Sequence, residues 1–199
     1  SQQRGDKNKV YSLHAPETSC IAKGKAHKKY EFGSKVSVAS LPGSNVVVGI
    51  SSLAGNPHDS RTLAPTLAQV KHWTGRSYER VLVDKGYRGH SQVDGSEVII
   101  PGKQAHASAY TRRRHKTLCK RRSAIEAIIG HLKSEHRMGR NYLKGTMGDT
   151  TNALLAGMGF NLMLLLREWV GNFLAALIWA FCCLNFRRKV RLHENYYCA

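Results

Sequence analysis

The chain has 199 residues, 42% of them apolar, enough to build one core with a small appendage and to exclude a wholly disordered polar chain. It carries 31 Lys and Arg against 13 Asp and Glu, a formal charge of +18 that attracts polyanions, nucleic acid first and an acidic membrane surface second. Five cysteines (Cys20, Cys119, Cys182, Cys183, Cys198) show no paired metal spacing and no even count, which favours free thiols in a reducing, cytoplasmic setting.

Residues 1–30 are polar and basic, densest in "IAKGKAHKKY", and read either as a solvated arm or as a nucleic-acid contact. No secretory signal opens the chain. It begins on Ser rather than Met, so a fragment or a frame with a start elsewhere is expected. "FGSKVSVAS" and "NVVVGISSL", separated by "LPGS", predict a β-hairpin through the alternation of Val36 and Val38 and the Pro-Gly turn. In "HDSRTLAPTLAQVKHWTG", Asp59 or Ser60 can cap a helix that buries Leu63, Leu67, Val70 and Trp73, with Pro65 near its start.

"YERVLVD" and "SEVIIPGK" predict two further strands, the second ended by Pro101. The β-β-α-β-β order predicts a mixed α/β sheet with helices packed on it. Asp84 ends the first of these strands and runs into "KGYRG". A strand-end carboxylate is either a metal ligand or a plain turn residue. Gly86 is expected to allow the turn, Tyr87 to pack in the core and Arg88 to reach a phosphate.

"TRRRHKTLCKRRSAIEAIIGHLKSEHRMGR" predicts one strongly basic helix over 111–140, with Arg112, Arg113, Arg114, Lys116, Lys120, Arg121 and Arg122 as its cations. Ile125, Ile128, Ile129 and Leu132 make its buried stripe. Arg122, Glu126 and Lys133 lie on a stripe about a quarter-turn away, so Glu126 should emerge at the rim of the core. His131 reads as a solvated helix residue. A second, apolar helix follows a Gly-rich break, with Asp149 or a neighbour as its cap. The last apolar run, 169–186, precedes "RRKVR" and reaches the lower length limit for a membrane span. Asn172 and Asn185 count against that, and packing on the core or a partner is the favoured reading, with no membrane partner expected.

Asp84 and Glu126 can meet if the basic helix packs across the sheet. Converging carboxylates in a basic protein point to a divalent ion, Mg²⁺ or Mn²⁺, acting on phosphates. The residues also carry a resemblance. "DKGYRG" and "CKRRSAIEAIIGHLK", with "GNPHDS" and "KKYEFGSKV", resemble the C-terminal part of bacterial insertion-sequence transposases of the DDE class, close to the family named after insertion sequence 5, over roughly residues 7–168. Those enzymes have a ribonuclease-H-like core, a second acid in a strand-end Asp-x-Gly-Tyr motif and a third in a helical Tyr-x2-Arg-x3-Glu-x6-Lys signature.

The resemblance implies Asp84 and Glu126 as catalytic metal ligands. It assigns Arg122 and Lys133 to DNA phosphates or to holding Glu126. It implies metal-dependent cutting and joining of double-stranded DNA at element ends and target, by an enzyme that can work as a homo-oligomer. Two departures stand out. Cys119 occupies the Tyr position of the signature, and no strand carries the first Asp, since Asp6 lies in the charged arm and Asp59 in another motif. A truncated or split-frame product is therefore expected, inactive alone and missing its first central strand. The alternative is a non-catalytic DNA-binding remnant. The organisation implied is a basic arm over 1–30, a partial catalytic core over 31–168 and an apolar helix with a basic tail over 169–199.

Overall fold

The computed structural model describes residues 6, 9–22, 29–89, 91–101 and 108–194, with side chains except at 114, 115 and 183–194. It divides into two units, Ser1–Phe160 and Asn161–Ala199.

In the first unit, β1 (Ser19–Ala22) pairs antiparallel with β2 (Tyr30–Gly33), so part of the segment read as a polar arm is a strand. The predicted hairpin is present as β3 (Lys35–Ser40) and β4 (Val47–Leu53), in register from Lys35↔Leu53 to Ala39↔Gly49. α1 (Leu63–Thr74) packs against this hairpin. Gln69 accepts from the Ile50 amide at 2.9 Å, and Thr66 donates to the Ser37 hydroxyl at 2.9 Å. Gly49 is what lets the helix so close, because a Cβ there would sit 2.5 Å from Val70 Cγ2.

Leu63, Leu67 and Val70 are buried as their spacing predicts, but Trp73 is half exposed. It lies in the last turn of α1, where Gly75 in the left-handed conformation ends the helix.

A neighbouring stripe of α1 covers a three-stranded sheet in the order β5 (Arg80–Leu82), β7 (Ser96–Ile99), β6 (Gln92–Val93). β5 runs parallel to β7, and β6 runs antiparallel to it. Leu63 and Leu67 close over Val83, with Val81, Tyr87, Val93, Val98 and Ile100 around them. The β6–β7 hairpin turns on Asp94 and Gly95, both with positive φ. That Asp-Gly pair is a strong two-residue hairpin signal, and the sequence reading passed over it.

The expected single sheet is thus divided among three small ones. Among the described residues, β3 pairs only with β4 and β5 only with β7, so no strand joins the hairpin to the parallel pair.

The predicted 30-residue basic helix is two helices, α2 (Ala109–Arg122) and α3 (Ala124–Ser134). At Ser123 the ladder changes to three-residue spacing, with its amide bonded to Lys120 O and its carbonyl to the Glu126 amide. The chemistry on either side differs: α2 is mostly polar, with Leu118 and Cys119 only half-buried, whereas α3 buries Ile128 and Leu132. In the last helix, α4 (Gly145–Glu194), the residues up to 160 bury Ala153, Ala156 and Phe160.

Asp149 lies inside α4 rather than capping it. Its carboxylate accepts from the Ser34 hydroxyl and from Asn141 Nδ2. The helix start is held instead by Glu17, which accepts from the Gly145 amide at 2.7 Å.

In the second unit, α4 continues unbroken through the last apolar run, which the sequence reading had set apart as its own segment. Within this unit its large apolar side chains from Leu165 to Phe181 are exposed.

Candidate functional site

β5 continues its ladder one residue past the strand, through the Val83 amide to Ile99 O at 3.1 Å. Val83 points into the core. Alternation then sends Asp84 the other way, and its side chain is 64% exposed. Asp84 accepts from the Lys85 amide at 2.6 Å and so caps the short 3₁₀ turn Lys85–Tyr87.

Gly86 has no positive φ, so the turn does not need its conformational freedom as expected. The requirement is space: a Cβ would collide with the carboxylate of Asp59. Asp59 is itself tied to Lys35 at 2.6 Å, while Lys35 also donates to Pro57 O. The "HDS" and "DKGY" segments therefore interlock, and the Tyr87 and Thr62 hydroxyls, 3.2 Å apart, add a second tie. Tyr87 packs on the core as predicted, and Arg88 is exposed.

Gly86→Ala should destabilise the fold by about 1–3 kcal/mol, the usual cost of overpacking. The loss should shrink sharply when Asp59→Ala accompanies it, because the colliding group is then gone. Urea midpoints of the two single variants and the double variant measure this coupling.

Arg122 ends α2 beside β5, and Glu126 lies in the first turn of α3. The Arg122 side chain is 19% exposed. Its Nη1 is 3.1 Å from Asp84 Oδ1, and its Nη2 is 3.3 Å from Glu126 Oε1. The two acids are thus brought to one cation from elements 42 residues apart in sequence (84 and 126). Glu126 is 70% exposed, further out than the rim position its stripe predicted. Arg122 Nε is buried and finds no hydrogen-bond partner among the described residues.

Lys133 does not join this group. Seven residues beyond Glu126 on the same helix face, it lies about 10 Å along the axis and pairs with Glu31 at 3.5 Å. There it lines a cavity of about 530 Å³ with Glu31, Ser34, Asn141, Asp149 and Asn152, a lining that contains neither Asp84 nor Glu126. His131 is half exposed, in keeping with a solvated helix residue, and contacts Glu135 one turn on.

The remaining cations lie on α2. Arg112, Arg113, Lys116 and Lys120 are exposed, and at 100° per residue they occupy one arc about 100° wide. Arg121 is exposed on another side, and the side chain of Arg114 lies outside the described residues. α2 contains no acid, so this arc is a continuous positive face.

Asp84 and Glu126 supply the type of hard oxygen donor that Mg²⁺ takes, and both are paired here to the Arg122 guanidinium. Among the described residues, no group of three His, Cys, Asp or Glu could hold a metal ion. Compared with known proteins, residues 11–162, more than half of the chain, match the family described as the transposase DDE domain. Neither the curated proteins nor the solved structures yield a match.

Proposed function

Since this chain belongs to the transposase DDE domain family, whose members generally use divalent metal and act on DNA, we propose that it contributes the second and third acids of an insertion-sequence transposase that cuts and joins DNA. The observation that carries this reading is the meeting of Asp84 and Glu126 on Arg122. Two exposed carboxylates from distant segments have no packing reason to converge, and a site for a cation on a phosphate substrate gives them one. We place the enzyme near the insertion sequence 5 group on its "DKGYRG" and Arg122-x3-Glu126-x6-Lys133 motifs.

In this reading Asp84 and Glu126 would hold the ion, Mg²⁺ or Mn²⁺. Such an ion activates the attacking oxygen and stabilises the leaving one. Arg122 keeps both carboxylates at one place and balances their charge. The α2 face of Arg112, Arg113, Lys116 and Lys120 holds strand phosphates, which positions DNA without reading its sequence. A third carboxylate completes the site from a strand seated between β3 and β5. Among the described residues no strand pairs with the second edge of β3 or of β5, and a strand there would make one ribonuclease-H-like sheet of two.

The second reading, a non-catalytic DNA-binding remnant, draws on the lack of a three-member metal group among the described residues. Incubation of the chain with element-end DNA and Mg²⁺ or Mn²⁺ tests both. Two carboxylates hold catalytic ions poorly, so no nicking is expected from the chain alone. Nicking that appears when an Asp-bearing strand is supplied, and disappears with Asp84→Ala, supports the transposase. DNA binding with no cleavage under either condition supports the remnant.

A further inference from the structure

The second unit holds a feature for which neither reading has a use. The family match ends at residue 162, and from Trp169 to Phe186 the chain carries no charged residue. The helix is apolar around its whole circumference there. At 100° per residue, Trp169 and Ile178 lie on opposite sides, and Val170 and Trp179 do so on a nearly perpendicular diameter. All four are between 56 and 73% exposed.

A second copy of the chain, or one partner helix, would cover a single face and leave the opposite one in water. A helix that is hydrophobic all round is stable inside a large core or within lipid. Its length decides between them. Residues 169–186 rise roughly 27 Å as a helix, close to the ~30 Å hydrocarbon thickness of a bilayer. The described part of α4, Gly145–Cys182, is long and apolar enough to cross a membrane.

The ends fit the same environment. Trp169 stands at one limit of the run, where the amphipathic indole prefers the headgroup level. Arg187, Arg188, Lys189 and Arg191 stand at the other, complementary in charge to anionic headgroups. Asn172 and Asn185, the features that counted against a membrane, fall in the first and last turns of the run rather than at its middle.

We propose that residues 169–186 insert into an anionic lipid bilayer, with the basic segment after them held at the headgroups. The test uses the full chain carrying Trp73→Phe, so that Trp169 and Trp179 are the only fluorophores of their kind, with vesicles of mixed phosphatidylcholine and phosphatidylglycerol. The expected result is a blue shift of Trp emission together with co-sedimentation that survives high salt. Salt resistance separates insertion from the electrostatic adhesion of so basic a chain. Leu174→Lys with Ile178→Lys should lower the salt-resistant fraction, on the order of a hundredfold in partitioning per Lys near the middle of a span. Circular dichroism before lipid is added checks that the rest of the chain still folds.

Complete release from vesicles by salt, without a blue shift, would overturn the proposal. So would a lipid-free, concentration-dependent assembly that blue-shifts the two Trp residues and is abolished by the same two substitutions, since the cover would then be a second copy of the chain.

Discussion

Glu126→Gln should lower DNA cleavage and strand transfer by two orders of magnitude or more while leaving DNA affinity nearly unchanged. The measurement belongs in a version supplied with the Asp-bearing strand. Gln keeps the size and much of the polarity of Glu but loses the anionic charge that holds a divalent ion. The geometry supplies a control. Glu126 is mostly exposed, and its described partner is Arg122 at 3.3 Å. If that pair were all Glu126 does, its loss would cost only about 0–1 kcal/mol of stability and almost no activity.

Arg122→Ala should behave differently. It removes the shared cation, leaves Asp84 and Glu126 facing one another as like charges, and takes one positive group from the end of α2. DNA binding should weaken, and urea stability should fall more than with Glu126→Gln. Near-normal strand transfer by the Glu126→Gln enzyme would defeat the metal assignment.

Neutralising Arg112, Arg113, Lys116 and Lys120 together should weaken duplex DNA binding on the order of a thousandfold near 0.1 M salt. Each phosphate contact contributes about 0.9 to the log-log salt slope. Four lost contacts flatten that slope by about 3.6, which is the more diagnostic number. The four residues share one face of a helix without acids, so they can track one strand together. Arg121→Ala, on another side of the same helix, should cost far less. The loss should be equal for element-end and unrelated DNA, because backbone contacts carry no sequence information. A slope reduced by less than about 1 would show that the α2 face does not contact DNA.

Much of the framework was legible because it is written in local periodicity. The alternation of Val36 and Val38 and the Pro-Gly turn marked the β3–β4 hairpin. The spacing of Leu63, Leu67 and Val70 marked the buried face of α1, and that of Ile128 and Leu132 the buried face of α3. Asp84 at a strand end and the Arg122–Glu126 spacing were visible for the same reason, since strand alternation and the four-residue helical repeat act over a few residues.

Long-range packing decided the rest. No local pattern says that Arg122 would bind Asp84 as well as Glu126, because that contact depends on where α2 crosses β5. Lys133 shares its helix face with Glu126, yet the position of β2 gives it Glu31 as a partner. Gly86 looked like a turn glycine, and only the approach of Asp59 shows that it is a spacing glycine. The break at Ser123 joins a mostly polar helix to one that must bury Ile128 and Leu132. A sequence determines what each segment can become through contacts within a turn or two. Which carboxylates share a cation is settled by groups brought together from afar, and only the packed chain contains that distance.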